Sequence, residues 1–163
     1  RDLSDITMLY DLPSLSELYF EYVNIFNPYI ADFLRLEKLS IIDGNVETVE
    51  NINNLPACTY INLSENEEID NMYFNLLPSL NTVILSDCSL SASSLANLFV
   101  SLNNGYLDLS NNAITNLKSY NKEIFGVVTL NISNNKIKDF SPIYPLQITN
   151  VIADGNRGKY LPQ

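Results

Sequence analysis

Histidine and tryptophan are both absent from the 163 residues. The usual general base for a serine or cysteine nucleophile is therefore missing, and so are His metal triads and mixed Cys/His zinc sites. The many serines have no evident base partner, so the sequence supports no catalytic residue. What remains with useful chemistry is carboxylate and phenol. Asp43, Glu65 and Asp87 recur at intervals of 22 residues, with Glu67, Glu68 and Asp70 close by. Carboxylates brought together at such a spacing repel one another and favour the approach of Lys, Arg or a cation. A calcium ion would find oxygen ligands there but no loop to cage it, so no metal site is assigned. The competing reading is a solvated acidic rim. Tyr19, Tyr22, Tyr60 and Tyr106 form the second set. Tyrosine gives large contact area at low entropic cost with a polar tip, which suits a binding surface. It is equally a common half-buried strand residue.

The spacing of these groups follows from an internal repeat. Four segments align without gaps: CTYINLSEN (58–66), LNTVILSDC (80–88), NGYLDLSNN (104–112) and VVTLNISNN (127–135). Read as L-x-x-L-x-L-x-x-N/C, they bring Ile61 and Leu63 into line with Val83 and Leu85, Leu107 and Leu109, and Leu130 and Ile132. The ninth position holds Asn66, Cys88, Asn112 and Asn135. Weaker copies begin at Leu15, Leu36 and Ile148, with Val23, Gly44 and Asn156 at position nine. Successive starts at 15, 36, 58, 80, 104, 127 and 148 give steps of 21 to 24 residues.

The second half of each repeat carries apolar residues every third position: Val46, Val49, Ile52 and Leu55, or Leu3, Ile6, Leu9 and Leu12. That period predicts 3₁₀ turns rather than an α-helix. The segment Ser89–Leu102 is longer, rich in Ser, Ala and Leu and free of Gly and Pro, and is expected to form a short true helix. Asn62-Leu63-Ser64 and Asn131-Ile132-Ser133 match the glycosylation sequon but read as ordinary repeat text.

These motifs resemble the leucine-rich repeat family, in the short-period subclass of the phosphatase regulator Sds22 and the bacterial internalins. The resemblance covers about residues 3 to 161. It implies an α/β solenoid with a parallel sheet on the concave face and 3₁₀ or irregular turns on the convex face. The chain is expected to be one domain over 1–163, a fragment of a longer protein, with apolar edges exposed at one or both ends. Leu63, Leu85, Leu109 and Ile132 should form one core ladder, and Ile61, Val83, Leu107 and Leu130 another. Asn at position nine should bond backbone groups that leave the sheet.

Side chains between the ladder residues point outward along each strand. This surface gathers the candidate binding residues: Tyr19, Tyr22, Tyr60, Ile84 and Tyr106, with the acids Asp43, Glu65, Asp87 and Asp108. A patch centred on Tyr60, Ile84 and Tyr106 suggests a non-enzymatic module that binds a protein, one with basic character. No cofactor is implied. The net charge of -10 disfavours general binding to nucleic acid or anionic lipid, and no apolar run approaches the roughly 20 residues of a membrane span. Cys58 and Cys88 fall in different ladders, so a mutual disulfide is not expected. An acidic, cysteine-poor chain rich in Asn, Ile and Tyr favours a bacterial surface or secreted protein over a cytosolic regulator. The substrate-recognition part of a larger enzyme, such as a ubiquitin ligase, is the reading from another class.

Overall fold

Strand formation follows the repeat. In the computed structural model, which describes residues 3, 6–120 and 123–161, the strands are β1 (Glu17–Glu21), β2 (Ile30–Ala31), β3 (Lys38–Ile42), β4 (Ile52–Asn53), β5 (Tyr60–Asn62), β6 (Met72–Tyr73), β7 (Thr82–Ile84), β8 (Leu98–Asp108), β9 (Ile124–Asn131) and β10 (Asn150–Ile152). The main sheet runs β1-β3-β5-β7-β8-β9-β10, with β6 beside the start of β8, while β2 and β4 form a separate pair. All these pairings are parallel.

The gap-free alignment of the repeats is also the register of the main sheet. Position three pairs from strand to strand as Glu17, Lys38, Tyr60, Thr82, Tyr106, Thr129 and Asn150. Because the side-chain period of a strand is two, this register sends every ladder residue to the same side. Leu63, Leu85, Leu109 and Ile132 are fully buried, as are Ile61, Val83, Leu107 and Leu130. No single repeat could bury these residues alone; stacking makes one continuous core.

The three-residue apolar period closes as tight turns. Val49 accepts the amide of Ile52, Leu55 that of Cys58, Leu77 that of Leu80 and Leu117 that of Tyr120, each spanning three residues. Proper 3₁₀ segments occur at Thr7–Asp11, Ser94–Asn97 and Ser141–Ile143. No α-helix occurs among the described residues, which corrects the α/β expectation: the fold is a strand-rich solenoid of about six turns. The expected helix over Ser89–Leu102 is likewise overturned. Only Ser94–Asn97 winds, as 3₁₀, and Leu98 already begins β8. Leu98, Val100 and Leu102 alternate as buried residues, and pairing with β6 and β9 supplies the backbone bonds a helix would have made internally.

Position nine anchors each bend. The Asn66 side chain accepts the Gly44 and Val46 amides at 3.0 and 2.9 Å and donates to the carbonyls of Ile41 and Leu63 at 2.8 and 2.9 Å. Asn112 repeats the arrangement with Cys88, Leu90, Leu85 and Leu109. Asn135 and Asn156 keep parts of it. Cys88 keeps only the donor side, its thiol directed to Leu63 O at 3.1 Å.

Candidate functional site

Among the described residues, the outward face of the main sheet carries seven acids, Glu17, Glu21, Asp43, Glu65, Asp87, Asp108 and Asp154, against one base, Lys38. That lysine already pairs with Glu17 at 2.7 Å. Tyr60 and Tyr106 both flank Thr82 across the sheet, which separates them by two strand spacings of about 4.8 Å each. Ile84 lies on the strand between, paired with Asn62 and Asp108. All three of Tyr60, Ile84 and Tyr106 are half-buried, so their bodies are fixed while their outer surfaces remain accessible.

Asp108 is placed differently from the other candidate acids. It is only 9% exposed, and four donors converge on its carboxylate. The Tyr106 hydroxyl donates at 2.6 Å, Asn131 Nδ2 at 3.0 Å, and the Ser110 amide and hydroxyl at 2.8 and 2.6 Å. Burial, followed by this hydrogen bond to Asp108, pushes the Tyr106 phenol up to about 12. Tyr106 is thus part of a polar network in the sheet, and Asp108 orients it. The sequence had suggested an independent contact flanked by a free acid. Asn131 and Ser110 were not among the sequence candidates. The signal was available: a polar side chain at position five followed two residues later by Ser. The same spacing makes short turns at Asn62–Ser64 and Asn131–Ser133, where the amide oxygen accepts the serine N–H.

The remaining acids stand on a conformational ladder. Position eight is left-handed in every repeat: Tyr22, Asp43, Glu65, Asp87, Asn111 and Asn134 have φ between 49° and 62°, and Gly155 has φ 73°. Asp, Asn and Gly enter this region most easily, which accounts for much of the residue choice there. Asp43, Glu65 and Asp87 line one groove with Asn45, Glu67 and Glu68. Asn134 donates to Asn111 at 2.8 Å and Asn111 to Asp87 at 3.1 Å, so Asp87 ends an amide ladder. Among the described residues, no group of three or more Asp, Glu, Cys or His is arranged to hold a metal.

Tyr19 and Tyr22 are exposed at 59% and 67% on and just after β1, two strands from Tyr60 on the side away from Tyr106. Cys58 and Cys88 are buried free thiols. Burial pushes them up to about 11 and about 12. Tyr120 is buried, and its hydroxyl has no hydrogen-bond partner. No helix among the described residues is long and apolar enough to cross a membrane.

The class these features define is a parallel-stranded repeat solenoid with an accessible, chemically varied sheet face. No family model matches the sequence. The chain is similar to acidic leucine-rich nuclear phosphoprotein 32-related protein 1 of Caenorhabditis elegans, with 29% identity over 140 residues, covering 72% of this chain and 61% of that protein. The chain thus spans about three fifths of that relative's length. The relative is named as leucine-rich, which agrees with the repeat solenoid described above.

Proposed function

We propose that the chain is a non-enzymatic module that binds a basic protein across the outward face of its main sheet. The observation that carries this reading is the cluster of Tyr60, Ile84 and Tyr106 on adjacent strands, half-buried and bordered by acids without basic partners of their own. Rigid aromatic anchors surrounded by polar groups are the usual composition of a binding hot spot. The acids at position eight steer a positively charged partner and raise its encounter rate. Between the two subclasses in the resemblance, we favour a regulator of the phosphatase-subunit kind over a bacterial surface protein. The buried free thiols suit a reducing compartment, and the similar protein is a nematode one named as nuclear.

The test is affinity capture with the wild-type chain from a cell extract, followed by surface plasmon resonance with each captured protein. Tyr60→Ala and Tyr106→Ala should each weaken binding by roughly 1–3 kcal/mol. Charge reversal at Asp87 should mainly slow association, and the effect should fade as salt rises. Unchanged kinetics in all three variants would move the site off the sheet.

A further inference from the structure

The hydroxyl of Tyr106 has a single hydrogen, and the fold has committed it. Asp108 accepts that hydrogen at 2.6 Å, and the carboxylate that takes it is an acceptor only. The neighbouring groups are committed in the same sense. Asn131 Nδ2 points inward, to Asp108 at 3.0 Å and towards Tyr106 Oη at 3.4 Å. Asn131 Oδ1 accepts the Ser133 amide and hydroxyl at 3.1 and 2.8 Å. The Ser110 hydroxyl also donates to Asp108. What Tyr106 turns outward is therefore the lone-pair density that Asn131 leaves free, on a half-buried ring, with the Asp108 carboxylate as the charge acting on it. Lys38, the one base on this face among the described residues, lies three strands away along the sheet and is paired with Glu17.

We propose that Tyr106 is an acceptor-only contact that selects a partner presenting an arginine side chain at this point and rejects carboxylate or phosphate there. Asp108 is the positioning residue: it holds the phenolic hydrogen inward and fixes the polarity of the contact. Guanidinium is the donor that fits best, because its planar fork donates to the Tyr106 oxygen and its fixed charge suits the acidic face. The high pKa of Tyr106 acts in the same direction, since the hydroxyl stays protonated and bonded to Asp108 throughout the neutral range. This inference rests on the reading of the sheet face as the binding surface and adds the chemistry recognised at its centre.

The experiment uses the whole chain and three fluorescent peptides of one sequence, carrying arginine, citrulline or glutamate at the same positions. Citrulline keeps N–H donors without the charge. The wild type should bind the arginine peptide, bind the citrulline peptide more weakly and show no binding to the glutamate peptide. Tyr106→Phe should weaken both donor peptides about fivefold or more, the loss of one hydrogen bond. Tyr60→Ala is the control for the face itself. If Tyr60→Ala weakens binding and Tyr106→Phe does not, the face stands and the acceptor proposal falls. If neither variant has an effect, the reading of the face falls as well. A wild type that binds the glutamate peptide as well as the arginine one overturns the proposal directly. Should Tyr106→Phe fold poorly, NMR of the wild type decides: a Tyr106 hydroxyl proton protected from exchange is expected, and one exchanging freely with solvent overturns the proposal.

Discussion

Asn112 holds the turn of the preceding repeat, its side-chain oxygen 3.0 Å from the amide of Cys88 and 2.9 Å from that of Leu90. Its own amide hydrogens go to the carbonyls of Leu85, Leu109 and Ser110. Asn112→Ala would leave several of these backbone groups buried without partners, at about 1–3 kcal/mol for each uncompensated group, so a loss of about 3 kcal/mol overall is expected. Cys88→Ala removes only a weak thiol donor and should cost distinctly less. Urea denaturation of both variants decides the matter, and equal losses would mean that the position-nine ladder is not held by its amides.

Leu109 is completely buried between Leu85 and Ile132 in the ladder. Leu109→Ala should lower stability by roughly 2–5 kcal/mol, the range for truncating a leucine in a packed core. A thermal midpoint close to that of the wild type would show that neighbouring repeats collapse into the space.

Asp108→Ala removes the acceptor of four hydrogen bonds from a site that is only 9% exposed. A loss of about 2–3 kcal/mol is expected. Asp108→Asn, which preserves shape and one acceptor, should recover part of it. If both variants are as stable as the wild type in guanidinium, the network has no structural role and Tyr106 is held by packing alone.

The unpartnered hydroxyl of Tyr120 predicts the opposite sign. Burying a phenol oxygen without a partner costs free energy that phenylalanine does not incur. Tyr120→Phe should be neutral or stabilising by up to about 1 kcal/mol. A clear destabilisation in calorimetry would reveal a polar contact, such as an ordered water, at that oxygen.

Alkaline pH should weaken the fold through the two thiols. Their folded values, about 11 for Cys58 and about 12 for Cys88, lie above the unfolded value of 9.0 because burial disfavours the thiolate. The unfolded chain releases these protons first, so stability is constant below pH 9 and declines from there through pH 11 to 12. Denaturant midpoints measured from pH 7 to 11 should fall from about pH 9, and a Cys58→Ala, Cys88→Ala double variant should flatten the decline below pH 10, above which the buried phenols of Tyr106 and Tyr120 also contribute. An unchanged decline in that variant would assign it to other groups.

The sequence by itself determined the repeat, the strand register and the core ladders. These depend on which residues recur at a fixed spacing, and a chain that stacks identical units can bury Ile61, Val83, Leu107 and Leu130 together in only one register. It also determined the tight turns, since Val46, Val49, Ile52 and Leu55 fall three apart. It misplaced Ser89–Leu102 because composition there suits a helix, whereas the long strand β8 depends on partners at Met72 and Ile124 that are distant in sequence. The polarity of the candidate site was decided only by tertiary structure. A carboxylate at Asp108 reads as an exposed charge in a one-dimensional pattern. Pairing β8 with β9 brings Asn131 beside it, and the turn after β8 folds Ser110 back onto it, so the same acid becomes an internal acceptor that sets the direction of the Tyr106 hydroxyl. Hydrogen-bond direction depends on distances of a few tenths of an ångström between strands, and repeat spacing carries no information at that scale.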